Sequence, residues 1–189
     1  MSEFVMISLN FIESDGLVIR PFTVADSAEF VNAVQESTGT VGRWMPWCHA
    51  NYAIEDALEW FFYCDKSWLE GSEYSFGIFN ANTNQFLGGV GLNEINRKNR
   101  SSANLGYWIR ESCQRQGIAT KAIQVCRDFG FRELNLTRIE IVAIESNTAS
   151  NAAAKRAGAQ FECLARNRLV MNGLPYTAAV YSLIPPTNI

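Results

Sequence analysis

The chain has 189 residues, 48% of them hydrophobic and 19% charged, which excludes an intrinsically disordered chain and suits one folded domain with a sizeable core. Lysine and arginine number 16 against 19 aspartate and glutamate residues, so the formal net charge is -3 at pH 7. This balance excludes the broad basic surface of a protein that coats nucleic acid, but it allows a small basic pocket for one anion.

Periodicity and turn residues predict a mixture of strands and helices along the chain. In chain order the predicted elements are a strand over 16–22, helices over 23–37 and 54–71, strands over 74–80, 85–95 and 103–110, a helix over 117–134, a strand over 137–145, a helix over 149–158, and strands over 161–171 and 176–184. Thr23 is the predicted N-cap of the first helix. This order predicts an α/β or α+β fold with one central mixed sheet.

We see no repeat and no internal linker, so we expect a single domain over 16–184 that follows an N-terminal extension over 1–15. The extension contains Glu3 and lacks a positively charged segment, unlike a signal peptide, and no apolar run approaches the ~20 residues that span a bilayer. The five cysteines form no C-x-x-C pair and His49 is the one histidine. We therefore expect a cytoplasmic protein with reduced thiols and no metal, membrane or direct nucleic-acid partner.

The stretch QRQGIAT, over 114–120, starts the predicted helix 117–134 without any acidic residue. Acidic side chains usually favour a helix start because they complement the positive end of the helix dipole. Here the free amides near residues 115 to 120 could bind a phosphate, which Gly117 would let approach the backbone and Arg115 could contact at the rim. An ordinary strand-to-helix turn is the alternative. The spacing matches neither a Walker loop nor a dinucleotide fingerprint.

Four motifs together resemble the GNAT superfamily of N-acetyltransferases. QRQGIA is similar to the Q/R-x-x-G-x-G/A pattern with which that family binds the pyrophosphate of acetyl-CoA. LGYWI over 105–109, N-x-x-S-N at Asn147, Ser150 and Asn151, and RAG over 156–158 are spaced as in the RimJ and RimL branch, the ribosomal-protein N-terminal acetyltransferases. The resemblance extends over about 16–184.

The resemblance implies a mostly antiparallel sheet of about seven strands with about four helices, in which the fourth strand, 103–110, carries a bulge and splays from the fifth, 137–145. The pantetheine arm of acetyl-CoA would lie in that opening, with the N–H of Ile109 polarising the thioester carbonyl and Asn147 and Asn151 beside the arm. The pyrophosphate would be held by Gln114, Arg115, Gln116, Gly117, Ile118, Ala119 and Thr120.

For catalysis, the resemblance implies that Ser150 protonates the leaving thiolate, whereas the residues alone equally allow it to cap its own helix. Asn104 and Leu169 stand where related enzymes often have a carboxylate. Glu94 is then our candidate base, with Glu145 as a second possibility, although either could be an ordinary surface charge.

The loop before the second helix holds Trp44 and Trp47, which we predict to bind the acceptor together with Tyr176, although all three could instead cover the core. The resemblance implies a protein N-terminal α-amine, such as that of a ribosomal protein, as the acceptor, and an amine with a pKa near 8 also makes fewer demands on a base than a lysine does. Two alternatives stay open: a small amine (a polyamine, an aminoglycoside or an amino-acid-like compound) as acceptor, or a non-catalytic acyl-CoA sensor. A monomer and a homodimer are equally compatible with the sequence.

Overall fold

A computed structural model describes residues 12–14, 16–98 and 101–185. Within these residues the strands are β1 (Ile12–Ser14), β2 (Leu17–Arg20), β3 (Tyr74–Asn80), β4 (Phe86–Asn96), β5 (Ser102–Ile109), β6 (Arg138–Ile144), β7 (Gln160–Met171) and β8 (Leu174–Leu183). The α-helices are α1 (Ser27–Glu36), α2 (Ile54–Glu70), α3 (Ile118–Arg132) and α4 (Thr148–Arg156). Single 3-10 turns at Val24–Asp26 and Glu111–Cys113 precede α1 and follow β5.

All eight strands form one sheet in the order β1-β2-β3-β4-β5-β6-β8-β7. The pairs are antiparallel except β5 with β6, which run parallel. The parallel pairing covers only Ser102–Asn104 against Arg138–Glu140, after which the two strands separate. The predicted mixed, mostly antiparallel sheet, its splayed parallel pair and the four helices are therefore confirmed. The sheet has one strand more than the expected seven. The additional strand is β1, which lies in the predicted N-terminal extension over 1–15, where the structure describes only 12–14.

Three local predictions were wrong. The α-helix predicted from Thr23 begins at Ser27, because the N–H and the hydroxyl of Thr23 both donate to Asp26 Oδ2 (2.7 and 2.9 Å) and close a 3-10 turn first. The predicted NGLP turn is shorter, since β8 begins at Leu174. Pro175 fits in that strand because the pairing of β8 with β6 begins only at Ala178, so no ladder partner lies on that side.

The third difference concerns the bulge expected in the fourth predicted strand, which is β5. Residues 104–109 of β5 pair with β4 in unbroken register, and the irregularity lies between Asn93 and Asn96 of β4. The extra residue is therefore on the neighbouring strand, where Glu94 adopts a φ of 51°. Such a bulge bends β4 at the start of the splayed region.

Two hydrophobic clusters lie on opposite faces of the sheet. Leu105 belongs to the cluster beneath α3 and α4, whereas Trp108 packs with α1 and α2. Alternate residues of a strand point to opposite faces, so each pair of helices covers one face. The Arg110 guanidinium ties α1 to the end of β5, through Nε to Glu36 (2.6 Å) and a second ion pair to Glu29. No helix in the described ranges is long and apolar enough to cross a membrane.

Candidate active site

The first turn of α3 leaves several backbone donors without a helical acceptor. Gly117 is the N-cap residue with a φ of 78°, and Arg115 before it has a φ of 61°, so two nearby residues adopt the left-handed conformation. Within the described part of the chain no side chain caps this helix, and its first turn holds no acidic residue. The first helical bond runs from Lys121 N–H to Gly117 O at 3.2 Å, which leaves the amides of 118–120 available for an anion.

The predicted anion-binding residues have two different roles: some offer backbone N–H groups, and two glutamine side chains stabilise the turn by hydrogen bonds. Gln114 Nε2 donates to Thr40 Oγ1 and to Ile109 O, both at 3.0 Å, so this side chain ties the turn to β5 and to the segment after α1. Gln116 Nε2 donates to Ser112 O at 3.4 Å. The side chains of Gln114 and Gln116 thus shape the turn, while the backbone of the α3 start presents the donors.

The opening between β5 and β6 is lined by backbone donors of β5. Arg110 N–H donates to Leu87 O at 2.8 Å, so this residue faces β4 with its polar groups. In an antiparallel ladder the neighbouring residue points its N–H the opposite way. The N–H of Ile109, and by the same alternation that of Tyr107, therefore points towards the side from which β6 has diverged. An acyl oxygen in this opening could accept from the Ile109 N–H.

Ser150 lies in the first turn of α4, and its hydroxyl meets Tyr107 of β5. The Tyr107 hydroxyl is 2.9 Å from the Ser150 carbonyl oxygen, to which it can donate, and 2.9 Å from Ser150 Oγ. Burial raises the pKa of Tyr107 to about 12, against the opposing hydrogen bond with Ser150, so the phenol keeps its proton at neutral pH. Asn147 is the residue that caps α4, since its Oδ1 accepts from Ser150 N–H at 3.1 Å. The Ser150 hydroxyl is therefore free of a capping role.

Asn151 fastens the start of α4 to the end of β6. Its Nδ2 donates to the carbonyl oxygens of Ile144, Glu145 and Asn147 at 3.2, 3.1 and 2.8 Å. Its Oδ1 is buried and, among the described residues, has no hydrogen-bond partner. The amide nitrogen of Asn151 therefore fixes the start of α4, while its oxygen is buried without a partner in the described part of the chain.

A cavity of about 330 Å³ lies on the α1–α2 face of the sheet, beside the opening. Its aromatic walls are Phe22, Phe30, Trp47, Tyr52, Trp60 and Trp108. Its polar side chains are Glu73, Ser75 and Asn93. Tyr107 is also among the lining residues, but its side chain packs on the α3–α4 face, so the cavity and the contact with Ser150 lie on the two sides of β5.

The predicted base, Glu94, is exposed on β4 and is not among the residues lining this cavity. Glu73, directly before β3, is the carboxylate that does line it, and it was not among the predicted site residues. Asn104 Nδ2 donates to Asn93 Oδ1 at 2.8 Å, so the polar end of the cavity contains an amide pair near Glu73. Alternation along β3 places Glu73 and Ser75 on one face, but only the pairing with β4 brings that face beside Asn93.

The structure separates the residues predicted to bind the acceptor. Trp47 lines the cavity, and its ring centroid lies 5.4 Å from that of Trp108. Trp44 lies outside the cavity lining, where the Arg43 guanidinium stacks on its ring. Tyr176 is half-buried on β8, opposite Leu169 of β7, and is likewise outside the lining. Met45 enters the cavity from the loop instead of Trp44.

Comparison with known proteins agrees with this arrangement. The family profile described as "Acetyltransferase (GNAT) domain" matches residues 16–160. The "Uncharacterized N-acetyltransferase YoaA" of Bacillus subtilis (strain 168) is 31% identical, over 93% of this chain and 97% of its own. A solved structure of a "putative ribosomal-protein-serine acetyltransferase" from Vibrio cholerae is 34% identical, with a TM-score of 0.82 over 93% of this chain and 98% of that one. RimL, described as a ribosomal L7/L12 alpha-N-protein acetyltransferase in complex with coenzyme A, shares the fold at 23% identity, with a TM-score of 0.81 over 90% of this chain and 95% of that one.

The family expected from the motifs is confirmed by a profile match over more than half of the chain and by two full-length relatives above 30% identity. The chain belongs to the GNAT family and is an N-acetyltransferase of that type.

Proposed function

We propose that this enzyme transfers the acetyl group of acetyl-CoA to the α-amine at a protein N-terminus, and that ribosomal proteins are its natural substrate class. The proposed catalytic unit is a single domain over residues 16–184. One observation carries the proposal: the separated β5–β6 pair lies between an uncapped helix start on one face of the sheet and an aromatic-lined cavity on the other. Acetyl-CoA, with its pyrophosphate, and an amine acceptor could thus reach the same point of the sheet from different sides.

The donor side fits acetyl-CoA, which supplies the acetyl group as an activated thioester. The amides of residues 115–120 would hold the pyrophosphate at the positive end of α3, and the residues that flank the opening would hold the pantetheine arm. Asn147 and Asn151 lie at the start of α4, which follows β6 across this opening, and the buried Oδ1 of Asn151 has no partner among the described residues. The Ile109 N–H would stabilise negative charge on the acyl oxygen.

As the amine nitrogen bonds to the acyl carbon and the C–S bond breaks, the leaving thiolate needs a proton; Ser150 Oγ–H is the proposed donor, and Oγ regains a proton from solvent. When the Tyr107 phenol donates to Ser150 Oγ, the serine proton is free to turn into the opening. Because burial raises the pKa of Tyr107 to about 12, the phenol keeps its proton, which it can donate to the Ser150 carbonyl oxygen or to Oγ, and either contact holds the first turn of α4 beside β5. Tyr107 is thus proposed as a positioning residue and Ser150 as the acid.

On the acceptor side, Glu73 is proposed to receive the amine in place of Glu94. A protein α-amine has a pKa near 8, so a single carboxylate, acting directly or through a water molecule, suffices to deprotonate it at neutral pH. A lysine side chain, with a pKa near 10.4, would require more help than one carboxylate at the polar end of the cavity supplies. This favours the α-amine.

The test is acetyl-CoA-dependent thiol release with three acceptors: a peptide with a free N-terminus, the same peptide with a blocked N-terminus and one internal lysine, and spermidine. Mass spectrometry of the peptide product locates the acetyl group. We expect release with the first acceptor and an acetylated α-amine. Release with spermidine alone would replace the proposal by a small-amine activity, and tight acetyl-CoA binding without release from any acceptor would indicate a sensor.

A further inference from the structure

The acceptor cavity has an apolar part and a polar part that are separate. Its aromatic walls meet around Trp108, whose ring centroid lies 5.4 Å from Trp47 and 5.7 Å from Phe30. Its polar side chains, Glu73, Ser75 and Asn93, come from β3, its preceding turn and β4. Cavities of this size and lining bind ligands by burying apolar surface, while a few polar groups determine orientation.

We propose that this cavity selects acceptors in which the reacting amine is next to a large apolar side chain, such as a peptide whose first residue is phenylalanine or leucine. This inference deepens the proposed function and depends on it for the location of the reacting amine. The apolar side chain would lie among the aromatic rings, and the amine would lie at the polar end. A first residue such as serine would leave the rings without a partner.

Strand register provides the spacing for this arrangement. In β4 and β5, Asn93 pairs with Asn104, Gly91 with Gly106, and Gly89 with Trp108. Cavity-facing positions two residues apart on a strand are separated by about 7 Å. Along one face of the sheet, the Asn93–Asn104 pair is therefore followed by the Gly91–Gly106 pair and then by Trp108. With the amine at the asparagine pair, the side chain beside it would lie above the glycine pair, about 7 Å along the strand, and would point towards the indole one step further on.

Gly106 makes the room for this side chain. A Cβ built on Gly106 would meet no heavy atom within 4 Å, and its backbone is not left-handed, so other residues could occupy this strand position. Valine is favoured in strands and would project into the cavity. Gly106 is therefore a specificity-determining position: a larger residue here would shorten the apolar part without unfolding the sheet.

The test uses peptides that differ only in their first residue, phenylalanine, alanine or serine, with wild type and the variants Gly106→Val, Trp47→Ala and Trp44→Ala. For wild type we expect kcat/KM for the phenylalanine peptide to exceed that for the serine peptide by about 30-fold or more, a range typical of side-chain discrimination in apolar pockets. Gly106→Val and Trp47→Ala should reduce this ratio at least about 5-fold, whereas Trp44→Ala, outside the lining, should keep it. Circular dichroism and acetyl-CoA affinity control for folding and for the donor site.

Equal or better use of the serine peptide by wild type would overturn the inference while leaving N-terminal acetylation intact. Acetylation of phenethylamine but of no peptide would overturn the proposed peptide acceptor and support the apolar selection. If no acceptor turns over, titration of the peptides against tryptophan fluorescence in the presence of coenzyme A decides: tighter binding of the phenylalanine peptide supports the inference, and equal binding refutes it.

Discussion

The contact between Tyr107 and Ser150 allows a quantitative test of the proposed proton donor. Tyr107→Phe removes one hydroxyl that lies 2.9 Å from both the carbonyl oxygen and Oγ of Ser150, and leaves the ring in place. A neutral hydrogen bond of this kind contributes a net ~1 kcal/mol, and a buried acceptor that loses its partner costs about 1–3 kcal/mol. We therefore expect the variant to be folded and destabilised by about 1–2 kcal/mol, which is a decrease in Tm of several degrees.

The effect on catalysis should be of similar size, because without the phenol the Ser150 hydroxyl is no longer oriented. Loss of about 1.4 kcal/mol of orientation corresponds to a roughly 10-fold lower kcat. Ser150→Ala removes the proton donor itself and should lower kcat by about 100-fold or more. Since Tyr107 is proposed to act only through Ser150, the double variant should be no slower than Ser150→Ala, within about 3-fold.

The assay is steady-state thiol release at saturating acetyl-CoA and peptide, together with thermal unfolding of each variant. Tyr74→Phe is the matched control, because Tyr74 is also buried, packs edge-on to Trp68, and its hydroxyl accepts from Arg97 instead of meeting Ser150. Full kcat in Tyr107→Phe would refute the positioning role. A double variant slower by the product of the two single effects, about 1000-fold, would show that Tyr107 acts independently of Ser150.

Three further predictions concern charges. Thr120→Glu, in the first turn of α3, should preserve or raise Tm, because an acidic residue complements the helix dipole, but should weaken acetyl-CoA binding about 10-fold by calorimetry. Glu73→Gln should lower kcat/KM for the peptide about 10- to 100-fold at pH 7, with partial recovery at pH 9, where the amine loses its proton without a base. Glu94→Gln, measured in parallel, should keep kcat/KM, and a loss there instead would make Glu94 the base. Glu162 accepts from the Arg138 guanidinium, which lowers its pKa from 4.5 to about 2, so its stabilising contribution is present above pH 4.5 and is lost as the pH falls towards 2. Glu162→Gln should therefore flatten the acid-unfolding curve in that window, and an unchanged slope would contradict the ion pair.

Local sequence signals were enough to predict the parts of the fold that local physics controls. The helix start at 117 follows from a glycine that can adopt positive φ and from the lack of acidic residues, and the structure places α3 one residue later. Alternating apolar residues likewise predicted β6 to within a residue at each end. The 3-10 turn before α1 was missed because Thr23 and Asp26 form it through their side chains, a pattern that also fits an ordinary helix cap.

The candidate site depended more on long-range pairing. Tyr107 and Ser150 were both in recognised motifs, but they are 43 residues apart in sequence and only the packing of α4 beside β5 brings their hydroxyls together. Glu94 was chosen as base from its position near the expected cleft, whereas the bulge in β4 leaves it exposed and the pairing of β3 with β4 brings Glu73 to the cavity.

The sequence by itself determined the family, the order of the main elements and the uncapped start of α3, because each is encoded in residues close to one another in the chain. Only the tertiary structure decided which tryptophan of the loop reaches the aromatic cavity, which carboxylate lies at its polar end and which hydroxyl meets Ser150. These contacts depend on strand register and on the separation of β5 from β6, where a shift of one residue turns every side chain to the other face.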